Sequence, residues 1–192
     1  YVGAVVLFLF VLALFLVKGR LKWWLVGGTL FSWILSLGKN WFFVTDPQPD
    51  SNPITNFFID YVPMYNKFRA VSSIQVIAEL AIPLLAILGL KEWFSKKISS
   101  EVKFDALKKS IYIVGGLALI FTLFGTSLFA FEGLRDANYD QMLPGLLDAI
   151  IEDRKAIFFS DSLRTLILVL LAAGVLWLFL KQKLKSTIAI IA

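Results

Sequence analysis

Val2-Gly-Ala-Val-Val-Leu-Phe-Leu-Phe-Val-Leu-Ala-Leu-Phe-Leu-Val17 carries no charged and no polar side chain. A helix on the surface of a water-soluble bundle shows a polar face that returns every 3.6 residues, and this stretch has none. It reads as a helix in lipid. Residues 21–38, 71–90, 111–131 and 163–180 have the same character. A spanning helix needs about 20 mostly apolar residues, so each run qualifies or nearly does. A further apolar run begins at Thr187. The expected fold is all-α: a polytopic transmembrane helical bundle of five spans plus the start of a sixth, with interfacial helices in the two longer connectors. Residues 1–192 are read as a single membrane domain and an interior fragment of a longer protein, since Tyr1 already stands at the edge of an apolar run.

Composition agrees. The chain is 58% hydrophobic and 17% charged, with a mean hydropathy of +0.78, whereas soluble domains are about 25% charged. This excludes a disordered chain, a disulfide-stapled secreted domain and a soluble enzyme built on one core. There is no cysteine and no histidine. Thiolate zinc sites, Cys–His pairs and the Ser-His-Asp triad are therefore excluded within these residues. No metal or cofactor site is read, and chemistry is left to carboxylates, Lys, Arg, Tyr, Ser and Thr. The net charge of +5 sits beside apolar runs, which fits a membrane surface and not nucleic acid.

Charge also sets an orientation. Twelve of the nineteen basic residues fall in three places: Lys18, Arg20 and Lys22; Lys91, Lys96, Lys97, Lys103, Lys108 and Lys109; and Lys181, Lys183 and Lys185. The connectors 39–70 and 132–162 hold ten of the fourteen acids. The positive-inside rule puts the three Lys-rich connectors in the cytoplasm and the two long ones outside. Trp23, Trp24 and Trp93 fit an aromatic belt on the cytoplasmic side. In the first outer connector, Asp46-Pro-Gln-Pro-Asp50 and Asn52-Pro53 mark a turn-rich tip, followed by aromatics mixed with polar residues up to Phe68. In the second, residues 146–158 recur at helical spacing with Asp148, Glu152, Asp153 and Lys155 on the other side. This predicts a separate helix in the interface or a lid on the bundle. Ser160, Asp161 or Ser162 is expected to cap the fifth span, with Arg154, Lys155 and Arg164 either structural or part of an anionic-headgroup site.

One row stands out chemically. With a third span starting near Arg69, the residues Arg69, Ser72, Gln75 and Glu79 are spaced 3, 3 and 4 apart and share a face. Glu79 then lies roughly 12 Å below the helix start. An ionisable group at that depth costs on the order of 3 kcal/mol and faces a bundle interior or a wet cavity. The functional reading is a polar cleft opening outward, with Lys67, Arg69 and the free N–H groups of the helix start forming an anion site. The structural alternatives stay open. Glu79 can be protonated and bonded to Ser32, Ser36, Thr126 or Ser127, and Lys67 and Arg69 can simply anchor the helix at the headgroups. Gly27-Gly28 and Gly115-Gly116 read as close-packing points between helices.

Three segments carry a resemblance. Tyr1-Val-Gly, Tyr61-Val-Pro-Met-Tyr-Asn-Lys-Phe-Arg69, and Asp153-Arg-Lys-Ala with Ser160-Asp-Ser-Leu-Arg164 occur in the order found in the YfhO family of bacterial multi-pass membrane proteins, which the chain resembles over nearly its whole length. Family members often have Pro where Val71 stands. The resemblance implies part of a membrane-embedded glycosyltransferase that moves a sugar from a polyprenyl-phosphate donor to an envelope polymer acceptor outside the cytoplasm, in the bacterial inner membrane. It implies donor-phosphate binding by Lys67 and Arg69, with Ser72, Gln75 and Glu79 lining the cleft. The family's catalytic acid belongs to a first outer loop, so no residue here is assigned as catalytic. The other readings are a lipid-linked saccharide transporter or flippase, and a non-catalytic assembly subunit.

Overall fold

Because the first apolar run has no polar side, it can pack on two sides at once, and the fold uses it that way. In a computed structural model, which describes residues 2–37, 53–62, 71–133, 136 and 145–181, α1 (Ala4–Leu16) is the central helix. Phe8, Leu12 and Leu16 pack with Trp93, Leu107, Val169 and Ala173. On the opposite side Phe10, Ala13 and Val17 pack with Ala78, Ile82 and Leu85. The expected span 2–17 thus packs against two sides of the core, while Phe15 stays exposed.

After α1 the chain turns at Gly19, whose φ of 111° is open only to glycine at low cost, into α2 (Arg20–Ser36). Helix α3 (Pro53–Tyr61) lies over α2, with Phe58 edge-on to Phe31 at 5.6 Å. A 3-10 turn, Val71–Gln75, leads into α4 (Val76–Phe94), which contains Pro83. Helix α5 (Ser100–Ser110) is capped by Ser99, whose hydroxyl accepts from the Val102 N–H. It passes through a π-helical turn, Ile111–Gly115, into α6 (Gly116–Leu128). The last helix, α7, runs from Leu146 to Leu180. There is no strand among the described residues.

Contacts fix the directions. Gly89 meets Ala13 so closely that a Cβ added there would stand 2.5 Å from Ala13 Cβ. Val2 and Leu7 lie near Gln75 and Glu79, so α1 and α4 run the same way. Ser32 bonds to Ile74 and Gly28 faces Ile77, so α2 runs opposite. Gly125 faces Phe158 while Gly115 faces Val169, making α6 and α7 antiparallel. One end of the bundle therefore gathers Val2, Ser36, Ser72, Leu128 and Leu146. The other gathers the 17–20 and 95–99 turns and Lys181.

Three helical stretches, Ser72–Phe94, Ser100–Leu128 and Leu146–Leu180, are long and apolar enough to cross a membrane, and Ala4–Leu16 is a shorter apolar helix. Large apolar side chains such as Leu80, Ile87, Leu123 and Leu171 point outward from them. These are the features of a membrane protein.

Several boundaries differ from the expectation. The Lys-rich connector 91–109 is mostly helix, because only the turn 95–99 interrupts it. The first described residues of the third span, Val71–Gln75, form a 3-10 turn, and its expected start near Arg69, with Lys67, lies outside the described residues. The start of a sixth span at Thr187 also lies outside them. The expected interfacial helix 146–158 is no separate element: it is the upper part of α7. No Gly or Pro occurs between Leu146 and Ala173 to break the helix, so Ser160, Asp161 and Ser162 lie in its interior and cap nothing. At 35 residues, α7 is about 52 Å long, well over the ~30 Å hydrocarbon thickness. Upright, it is longer than the hydrocarbon it could cross.

Candidate functional site

The described part of the polar row on the third span begins in the 3-10 turn. Side chains three apart eclipse in a 3-10 turn, so Ser72 and Gln75 stay aligned, and Glu79 follows Gln75 by one α-helical turn. Gln75 and Glu79, both exposed, line a half-open cleft of about 240 Å³ between α1, α2 and α4, walled by Trp33, Val2, Leu7, Ala78 and Ile82. Ser72 is exposed at the rim and does not line it. Of the residues singled out by sequence, the structure therefore brings Gln75 and Glu79 together, leaves Ser72 beside them, and does not describe Lys67 and Arg69.

The wall from α2 is held by hydroxyl bonds. Ser32, fully buried, donates to Ile74 O at 2.7 Å. Ser36 donates to Trp33 O at 2.8 Å and accepts from Gln75 Nε2 at 3.1 Å. Two of the hydroxyls considered as partners for Glu79 are thus committed elsewhere, although Glu79 is itself engaged within the protein. Trp33 was not anticipated; its place on α2, one residue after Ser32, was the available signal.

A second polar group lies at the same end, between α6 and α7. Arg154 donates to Phe131 O at 2.7 Å and pairs with Asp136, one of the two bonds running from Nη2 to Oδ1 at 3.3 Å. Asp136 also accepts from the Gly133 N–H at 2.7 Å. The side-chain bond from Arg154, reinforced by that backbone N–H, holds the Asp136 carboxyl below the usual carboxylate range. Arg154 therefore pins the chain that follows α6. Asp136 was not anticipated, since eighteen residues separate it from Arg154.

The opposite end is lysine-rich. Lys103 is buried and its ammonium donates to Ser95 O at 2.7 Å, satisfying a carbonyl just past α4. Lys22 donates to Leu14 O at 3.3 Å and sits 4.8 Å above the Trp23 ring, while Lys181 lies 6.0 Å from Trp177. Trp23 and Trp24 are exposed. Among the described residues, no three carboxylates gather as metal ligands would.

Comparison with family models, with curated proteins and with solved structures finds no match to this chain.

Proposed function

We propose that the chain is part of a YfhO-like membrane glycosyltransferase, with five spans and the start of a sixth, in the bacterial inner membrane. Its substrates are a polyprenyl-phosphate-linked sugar and an envelope polymer acceptor. The observation that carries this reading is the half-open cleft between α1, α2 and α4 that Gln75 and Glu79 line, two polar side chains exposed on an otherwise apolar helix. An amide about 6 Å and a carboxylate about 12 Å below Ser72 are expensive in lipid and suit hydroxyl groups or a polar headgroup. At about 240 Å³ the cavity is smaller than the ~300–1,000 Å³ typical of whole-ligand sites, so it suits one part of a substrate. The segment carrying Lys67 and Arg69 leads directly into this helix, where two cations fit a donor phosphate. Clustering of Lys and Trp at the opposite end supports a cytoplasmic position for that end and an outward opening for the cavity.

The test uses the full protein in its native membrane. Arg69→Ala is expected to abolish sugar addition to the envelope polymer while the protein still accumulates. Unchanged sugar content would remove the phosphate assignment. Glu79→Gln keeps shape and removes charge, and is expected to lower transfer by about 100-fold if Glu79 exchanges a proton or holds a sugar hydroxyl; full activity would return Glu79 to a structural role. Sugar-loaded lipid trapped on the cytoplasmic leaflet in either variant would favour a transporter instead.

A further inference from the structure

The larger cavity is elsewhere. An open groove of about 420 Å³ lies between α6 and α7, lined by Ala118, Phe121, Phe131, Ile157, Phe158 and, among others, Asp161, Ser162 and Thr165. Because α7 is continuous, Arg154, Phe158, Ser162 and Thr165 form one stripe at spacings of 4, 4 and 3, with Ile157 and Asp161 along its edge.

Depth comes from the other end of α7. Lys181 follows the last helical residue, and about 20 residues cross the hydrocarbon. Counting upward places Asp161 at the outer hydrocarbon boundary. Arg154 is then about 10 Å above it and Thr165 about 6 Å below. The groove straddles the junction between headgroups and chains, with polar atoms at that level and apolar walls below. That is the profile of a lipid lodged by its headgroup.

Charge narrows the headgroup. Arg154 is already paired with Asp136, so among the described residues the lining charge without an ion pair is the Asp161 carboxylate, which disfavours phosphate. The phenylalanines do not form an open cage for an ammonium group. Phe158 packs on Phe121, Phe129 and Phe131 at 6.3, 5.6 and 5.5 Å, so the rings fill one another's space and make a wall. A carboxylate that accepts, two hydroxyls that accept or donate, and an aromatic wall suit a neutral headgroup bearing several hydroxyls. We propose that the α6–α7 groove binds the saccharide headgroup of an uncharged glycolipid, with Asp161 and Ser162 holding its hydroxyls and the Phe121–Phe158 wall flanking the ring.

The site is independent of the α4 cavity, and binding is read without turnover, so its outcome is separate from that of the glycosylation assay. The full chain is placed in phosphatidylcholine nanodiscs with a diazirine-bearing monoglucosyl diacylglycerol, and crosslinked peptides are mapped. Crosslinks are expected within residues 118–131 and 154–165, competed by unlabelled glucosyl lipid and at least tenfold less well by diacylglycerol, phosphatidylglycerol or phosphatidylethanolamine. Asp161→Asn, which keeps shape, is expected to lower crosslinking about tenfold, while Leu171→Ala on the outward face of α7 leaves it unchanged. Equal competition by diacylglycerol would reduce the groove to a chain-binding surface and overturn the proposal. Stronger competition by either phospholipid, or an unaffected Asp161→Asn protein, would overturn it as well.

Discussion

Two polar strips descend from the same end of this bundle on opposite sides of α1, and only one of them is visible without coordinates. The strip on the third span, Ser72, Gln75 and Glu79, stands alone in an apolar run, so its spacing is obvious. The strip on α7, Arg154, Ser162 and Thr165 with Asp161 at its edge, spans a Ser-Asp-Ser sequence that resembles a helix start. Placing a cap there cuts the strip in two and assigns its halves to different elements. Ser and Asp favour caps because their side chains compete for backbone groups, but nothing forces a break when the flanks are Phe158-Phe159 and a long apolar run. Continuity of the apolar stripe decided the outcome over local propensity.

The sharpest way to break this comparison is Leu163→Pro. If Ser162 capped a separate helix, position 163 would be its first helical residue, where proline is well tolerated. In a continuous α7 the same change removes a backbone donor and clashes with the preceding turn, at a cost of about 3 kcal/mol or more. Thermal unfolding in detergent is expected to show a large loss, together with loss of crosslinking in the α6–α7 groove. An unperturbed melting temperature would restore the two-helix arrangement.

A pair of glycine substitutions compares the helix contacts beneath the two strips. At Gly89 an added Cβ meets Ala13 Cβ at 2.5 Å and the Ala13 backbone at 3.0 Å, and backbone cannot yield without moving α1. Gly89→Ala is therefore expected to destabilise the protein by about 1–3 kcal/mol despite its better helix propensity. At Gly125 the obstacle is the Phe158 ring, which an added Cβ would overlap at Cε1 more tightly still, with Cζ at 2.9 Å. A side chain can shift where backbone cannot, so Gly125→Ala is expected to cost less than Gly89→Ala, but only by displacing Phe158 from the aromatic wall. Equal losses at the two positions would show that the α6–α7 contact is as rigid as α1–α4.

Much of the architecture was legible: all five apolar runs are largely helical in the described residues, and the polar row of the third span reaches a cavity. What was missed has a common physical origin. The central position of α1 depends on which helices have partners, and an all-apolar helix looks the same in lipid as in a protein core. The Arg154–Asp136 pair and the Trp33 wall depend on contacts between segments far apart in sequence, which no spacing rule reaches. Gly125 gave no hint either, because its reason is the Phe158 ring on another helix. Gly89, by contrast, shares the buried side of α4 with Ala78, Ala81 and Ala86, small residues that already suggest a close crossing.

A smaller effect is expected at the wall of the α4 cavity. Ser32→Ala removes the 2.7 Å bond to Ile74 O, which ties α2 to the 3-10 turn. Loss of one such bond costs about 1 kcal/mol. If that bond positions Gln75, the variant should also weaken activity more than its stability loss explains, whereas Thr29→Ala, whose hydroxyl bonds within α2 to Leu25 O at 2.8 Å, should leave activity unchanged.

The smallest global effect is expected from acid, and it belongs to the α7 side. The Asp136 carboxyl is held below its ordinary range by Arg154 and by the Gly133 N–H. A group whose folded pKa is depressed stabilises the folded form above its unfolded value, near 3.9, and loses that contribution as pH falls through the lower folded value. Amide exchange at Gly133 and Asp136, whose N–H bonds to Gly133 O at 3.0 Å, should therefore remain slow relative to the intrinsic rate at pH 5 and open only in stronger acid. Asp136→Asn should open the same segment already at neutral pH, because the amide keeps the shape and loses the charge that Arg154 pairs with. On the α4 side the bonds at Ile74 and Gln75 run between hydroxyls, an amide and a carbonyl, so protection there should not follow this titration. Protection lost in parallel on both sides would mean that acid loosens the whole bundle and that Arg154–Asp136 is no local clasp.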